Sequence, residues 1–314
     1  MTSFAFVFPG QGSQAVGMLD AWGDHPAVKA TLQEASDALG EDVARLIQEG
    51  PKEALALTTN TQPVMLVAGV AAWRAWKAEG GADPVAVAGH SLGEYSALVA
   101  AGALTLAQAA PLVRFRAQAM QQAVPVGTGA MAAILGLDPA RVAEVCAEIS
   151  ASLGGDETAE AVNFNDPGQT VIAGTKIAVD QACVALKAAG AKRALPLPVS
   201  APFHSSLMKP AAEALRERLA TLDISSPRIP VLNNIDVTFE NGAAAIRDAL
   251  YRQAFGPVRW VECINALKQQ SVSHVVECGP GKILVGLTKR IDASLVASAL
   301  YDPATLAETK VLLG

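Results

Sequence analysis

Val87-Ala88-Gly89-His90-Ser91-Leu92-Gly93-Glu94-Tyr95-Ser96 is the stretch around which the chain is organised. The apolar run Val85 to Ala88 meets Gly-His-Ser-Leu-Gly and then an Ala/Leu-rich segment, which predicts strand, tight turn and helix with a serine at the corner. In this G-x-S-x-G elbow the small glycines let a strained turn push the serine hydroxyl out at the helix N-terminus. Backbone N–H groups exposed there stabilise a developing oxyanion, so the corner suits acyl transfer.

Working outward, Phe4 to Phe8 is a short apolar run ending in Pro-Gly, which suits a buried central strand. Amphipathic patterns follow over Pro26 to Leu39, Asp42 to Glu49 and Thr61 to Glu79, and a further helix is expected from Leu106 to Ala123. From Met131 to Leu197 the order is strand, helix, strand, strand, helix, strand, the split β-α-β or ferredoxin-like arrangement. Beyond it strands over 230–233, 274–278 and 295–299 alternate with helices over 243–254, 260–269 and 281–291, and a last helix closes the chain. The expected fold is therefore α/β: an α/β-hydrolase-like, mostly parallel sheet covered on both faces, with an inserted ferredoxin-like small subdomain. The breaks Pro125-Val126-Gly127 and Pro196-Leu197-Pro198 put the small subdomain at 128–198 and the large catalytic one at 1–127 and 199–314, with a cleft between them.

Composition narrows the function classes. The 314 residues are 51% hydrophobic and 17% charged, enough to bury a sizeable core. A net charge of -6 and a pI near 5.3 argue against nucleic acid, and any anionic partner must meet a local basic patch. Cys146, Cys183, Cys263 and Cys278 show no C-x-x-C spacing, so neither a disulfide framework nor a metal site is indicated. Met1-Thr2-Ser3-Phe4 lacks a basic leader, and the Ala-rich stretch from Tyr95 to Val113 is interrupted by Gly102, Thr105, Gln108 and Pro111. The expectation is a cytoplasmic protein with no membrane partner.

Two residues stand out as partners for Ser91. Arg116 lies on or beside the apolar face marked by Leu106, Ala109, Val113, Ala117 and Met120, where a cation needs either a protein carboxylate or an anionic ligand. His204, in Val199-Ser200-Ala201-Pro202-Phe203-His204-Ser205-Ser206-Leu207-Met208, stands where the chain returns to the main body, and is a candidate general base or a helix-capping group. A rival arrangement keeps Ser91 but takes Asp236 and His274 as partners, in the order of an α/β-hydrolase, giving a thioesterase or esterase. A non-catalytic carrier-binding protein is a second rival. Dinucleotide binding at Gly10-Gln11-Gly12-Ser13-Gln14 is disfavoured, because the third glycine arrives only at Gly17.

Taken together, Gly10 to Gln14, Gly89 to Tyr95, Arg116, Pro202-Phe203-His204 and Glu277-Cys278-Gly279-Pro280-Gly281-Lys282 resemble, in order, the malonyl-CoA:acyl carrier protein transacylases. The resemblance runs over essentially the whole chain and extends to the acyltransferase domains of fatty acid and polyketide synthases, with the look of the free-standing enzyme. It implies a malonyl group passed from malonyl-CoA through a malonyl-serine to the phosphopantetheine thiol of acyl carrier protein, in ping-pong fashion, for fatty acid or polyketide synthesis. It implies Ser91 as nucleophile, His204 as base, the amides of Gln11 and Leu92 as oxyanion hole and Arg116 as the malonyl carboxylate's holder. Gln253, whose carbonyl would orient His204, is grouped with Asn163 and Asn165 on the substrate-binding side, and His90 would support the site from behind. No tightly bound cofactor is implied. Phe203 is bulkier than the residue usual before this histidine in free-standing bacterial members, and in the synthase domains such bulk goes with malonyl over methylmalonyl. For the acidic carrier, Lys192-Arg193 and Lys289-Arg290 are the candidate docking pairs, or else ordinary solvated ends.

Overall fold

The computed structural model describes residues 2–199 and 201–314; Met1 and Ser200, both inside stretches quoted above, lie outside the described residues. In chain order the elements are β1 (Phe4–Phe8), α1 (Pro26–Leu39), α2 (Val43–Glu49), α3 (Lys52–Ala56), α4 (Thr58–Ala78), β2 (Ala86–Gly89), α5 (Gly93–Ala100) and α6 (Leu106–Gln122). There follow β3 (Gly129–Leu135), α7 (Pro139–Leu153), β4 (Ala159–Asp166), β5 (Gln169–Thr175), α8 (Lys176–Ala188) and β6 (Arg193–Pro196). The remainder is α9 (Lys209–Ala220), β7 (Val231–Leu232), α10 (Ala243–Gln253), α11 (Trp260–Gln269), β8 (His274–Cys278), α12 (Ile283–Ile291), β9 (Val296–Leu300) and α13 (Pro303–Leu313).

The larger sheet has the order β7-β2-β1-β8-β9, and every pairing in it is parallel. All five residues of β1 are buried, as the unbroken apolar run Phe4 to Phe8 requires of a central strand covered on both faces. One face packs under α4, α5 and α6, where Trp73 and Trp76 meet Phe6 edge to face, and the other is covered by α11 and α12 through Trp260, Ile264 and Leu287. The second sheet is antiparallel, order β4-β5-β3-β6, and buries its own cluster against α7 and α8. It is tied back to the larger body through Val258, whose amide donates to the Val162 carbonyl and whose carbonyl accepts from the Phe164 amide.

The departures from the sequence reading are local. The five-residue α3 went unread, since one turn of Lys-Glu-Ala-Leu-Ala shows no periodicity, and α4 starts three residues before the expected Thr61. The strand expected over 230–233 shrinks to Val231 and Leu232, because Asn233 turns its polar groups to the following loop, donating to the Thr238 carbonyl and accepting from the Asp236 amide, and the Asn234 amide donates to Glu94 instead of to the ladder.

Candidate active site

The elbow forms as its glycines dictate. A Cβ on Gly89 would stand 1.9 Å from the Gly93 carbonyl carbon, and one on Gly93 would stand 2.0 Å from the Phe8 carbonyl oxygen. Strand, turn and helix therefore approach closer than any side chain allows, and the chain turns at Ser91 with a left-handed φ of 52°. His204 is likewise left-handed, at 67°. Non-glycine residues hold such backbone only where surrounding contacts over-determine it.

Those contacts bring the two residues together. Ser91 Oγ lies 2.6 Å from His204 Nε2, and His204 Nδ1 lies 2.9 Å from the Gln253 carbonyl. A carbonyl only accepts, so Nδ1 carries the proton and Nε2 offers its lone pair to the serine hydroxyl. Burial, and after it the Arg116 charge, pushes the His204 imidazole down to about 3, which keeps it neutral as a base must be.

Arg116 is 2% exposed and reaches this pair from α6, with Nη2 donating to Ser91 Oγ at 3.2 Å and to Gln253 Oε1 at 3.1 Å. Its Nη1 donates to Gln62 Oε1 at 2.6 Å, and its guanidinium lies over the Tyr95 ring. Among the described residues it has no carboxylate within ion-pair distance, and its buried Nε has no acceptor. Of the two readings left open for this arginine, the internal ion pair is thus the one the geometry does not supply.

Gln11, Leu92, His90, Asn163, Asn165 and Phe203 line one cleft of about 830 Å³ with Ser91, His204 and Arg116. Among the described residues neither the Gln11 nor the Leu92 amide is given to a protein acceptor. His90 Nε2 lies 2.8 Å from Asn165 Oδ1, joining the elbow to β4, and its ring packs on Trp260. Gln253 corrects its grouping: it is fully buried and off the cleft wall, and it bonds Ser91, His204 and Arg116 from behind. The Glu277–Lys282 motif serves the cleft at one remove. Glu277 Oε2 accepts from the Val285 amide and so fixes the start of α12, whose Ile283, Leu284 and Leu287 form part of the wall.

The hydrolase alternative fails on geometry. Asp236 is taken by Arg252 in a two-pronged pair at 2.7 and 2.5 Å, and His274 bonds Ser273 opposite Phe4. Ser91 leaves the sheet beyond Gly89, which is level with Phe8, so four residues at roughly 3.3 Å each put His274 about 13 Å away at the wrong end of the strands. Of the basic pairs, all four residues, Lys192, Arg193, Lys289 and Arg290, are exposed. Arg290 is not free, since its Nε donates to the buried Asp166 at 2.6 Å.

Sequence reading missed Gln62, Glu94 and Asn234. Glu94 left a trace as the one charged residue of α5, and Asn234 follows a strand at the carboxyl edge, where α/β sheets put their ligands, but Gln62 stands at the end of the polar run Thr58 to Gln62 with nothing to single it out.

Residues 5–291 match the acyl transferase domain family model. A malonyl CoA-acyl carrier protein transacylase of Salmonella typhimurium is 55% identical over 307 residues, 98% of each chain. The crystal structure of an acyl-carrier-protein S-malonyltransferase from Burkholderia pseudomallei superposes with a TM-score of 0.96 at 63% identity, covering 98% of this chain and 99% of that one. A type II PKS acyl-carrier protein in complex with its malonyl-transacylase offers a third match, TM-score 0.94 at 51% identity over 98% of both chains. A strained serine paired with a neutral histidine, beside a buried arginine bonded to neutral acceptors, is thus found in a chain that belongs to the acyl transferase domain family, with malonyl CoA-acyl carrier protein transacylases as its relatives.

Proposed function

We infer that the chain transfers a malonyl group from malonyl-CoA to the phosphopantetheine thiol of acyl carrier protein, through a malonyl ester on Ser91. The observation that carries the reading is the Ser91–His204–Gln253 carbonyl relay set against a buried guanidinium that has no carboxylate partner among the described residues. His204 Nε2 takes the serine proton as Oγ attacks the thioester carbon, and the tetrahedral oxyanion settles on the Gln11 and Leu92 amides. The carbon–sulfur bond then breaks, and the coenzyme A thiolate leaves with the proton from His204. The carrier's thiol repeats the steps in reverse: His204 takes its proton, sulfur attacks the ester, and Ser91 Oγ recovers a proton as it leaves. Arg116 receives the malonyl carboxylate, and Asn163 and Asn165 border the acyl group's path. No tightly bound cofactor takes part.

The division of labour in this reading follows the two sheets. The parallel sheet and its helices, 1–127 and 199–314, act as an α/β-hydrolase-like catalytic subdomain. Residues 128–198 act as a ferredoxin-like lobe, a reading supported by the strand order β4-β5-β3-β6 with α7 and α8 on one face. The acidic carrier docks on Lys192, Arg193 and Lys289 across the cleft mouth, Arg290 being engaged with Asp166. The product serves fatty acid or polyketide synthesis, and the setting is cytoplasmic, since coenzyme A thioesters and the chain's thiols suit a reducing compartment. No helix among the described residues is long and apolar enough to cross a membrane.

A panel of acyl-CoA thioesters with intact-mass detection tests the reading. One malonyl adduct is expected on the wild type, lost in Ser91→Ala and discharged by holo acyl carrier protein. Rapid hydrolysis with no transfer to the carrier would overturn it.

A further inference from the structure

The mechanism leaves one buried carboxylate unused. Glu94 is 2% exposed, on the first turn of α5, and its Oε2 accepts from the Asn234 backbone amide at 2.9 Å and from Gln253 Nε2 at 3.1 Å. Asn234 and Gln253 are the residues that grip the elbow peptide. Asn234 Oδ1 accepts from the Ser91 amide at 2.7 Å, Asn234 Nδ2 donates to the Gly89 carbonyl at 2.7 Å, and Gln253 Nε2 donates to the Ser91 carbonyl at 3.0 Å. Gln253 also gives its carbonyl to His204 and its Oε1 to Arg116. A carboxylate is costly to bury, and this one has only neutral amides as hydrogen-bond donors, so packing alone is a poor reason for its place.

We propose that Glu94 is a positioning residue, whose anionic carboxylate acts through Asn234 and Gln253 to hold the Ser91 peptide, the His204 anchor and the Arg116 guanidinium in one arrangement. The proposal rests on the acyl-serine reading above. The groups facing Glu94 are Arg116 from α6, Tyr95 from its own helix, Cys263 from α11 and Glu240 from the loop before α10. Burial pushes Glu94 up to about 7, against the pull of Gln253, the Asn234 amide and the Arg116 charge, whereas His204 sits at about 3. Falling pH therefore neutralises the clamp well before it reaches the base.

Labelling of Ser91 by a fluorophosphonate, in which Oγ displaces fluoride from phosphorus, reads the elbow without any acyl donor. Rates would be followed by intact mass from about pH 5 to about pH 9, beside acylation by malonyl-CoA. The wild-type labelling rate is expected to fall as the pH drops through about 7. Glu94→Gln is expected to lose that acid limb, to label about tenfold more slowly at the alkaline end, and to keep a near-normal KM for malonyl-CoA. An unchanged acid limb or a wild-type rate in Glu94→Gln overturns the proposal. Should that variant fold poorly, the wild-type profile decides: a limb near 7 supports the clamp, and a rate flat down to about pH 5 overturns it. A normal labelling limb without malonyl transfer to the carrier would sink the substrate reading and leave the clamp standing.

Discussion

Replacing Arg116 by alanine separates selection of the acyl group from general reactivity. In the folded chain the guanidinium already spends Nη1 on Gln62 and Nη2 on Gln253 and Ser91 Oγ, all neutral acceptors, while Nε is buried and unused. A malonyl carboxylate arriving here meets a desolvated cation, and acetyl brings only a methyl group to the same place. Charge-assisted contacts of this kind are worth on the order of 1.5–3 kcal/mol, so a value of about 3 kcal/mol sets a malonyl-over-acetyl preference of about 150-fold. Arg116→Ala also removes a partner from Ser91 and Gln253, which slows both substrates alike and cancels in the ratio. The expected result is therefore a collapse of the preference toward unity, with partial recovery in Arg116→Lys, which keeps the charge but not the planar donors. Single-turnover acylation by malonyl-CoA and acetyl-CoA, quantified by intact mass, measures the ratio directly. Equal losses for the two donors, with the preference intact, would show that Arg116 is structural and that the malonyl carboxylate is held elsewhere.

Three further outcomes follow from the same geometry. His204→Ala should slow acylation by a factor on the order of a thousand or more, and His274→Ala, at the opposite end of the strands, should leave it near wild type; the opposite pattern in single-turnover rates would restore the hydrolase arrangement. Glu94 is raised from 4.5 to about 7, so the folded state favours its protonated form, and the stability this contributes is present below 4.5 and lost as the pH rises through about 7. Urea unfolding should accordingly show Glu94→Gln gaining on the wild type by about 3 kcal/mol between those limits, and a constant difference would contradict the burial argument. Reversing Lys192 and Arg193, or Lys289, to glutamate should raise the apparent KM for the carrier and leave malonyl-CoA loading of Ser91 nearly normal; steady-state assays in which both half-reactions decline together would remove these residues from the docking surface.

What the sequence determined by itself was whatever depends on near neighbours. The elbow was legible because two glycines, a serine and the change from an apolar run to a helical pattern are all local, and the close approaches at Gly89 and Gly93 are the physical reason for the spelling. The alternating elements from Met131 to Leu197 were legible because strand and helix periods differ. Arg116 could be placed on an apolar face, but whether a protein carboxylate met it there depended on contacts from α4 and α10. Only the tertiary structure decided that, as it decided His204 over His274, since both histidines have plausible local settings and only the sheet register shows which one reaches Ser91. Asn234 and Gln253 stand 143 and 162 residues from the serine they hold, and nothing in their local sequence names that serine as their partner. Their hydrogen bonds exist because the parallel sheet sets the carboxyl end of β7, and with it Asn234, beside that of β2, while the end of α10 brings Gln253 to the same place, and a contact made by topology is not written in the spacing of the residues that make it.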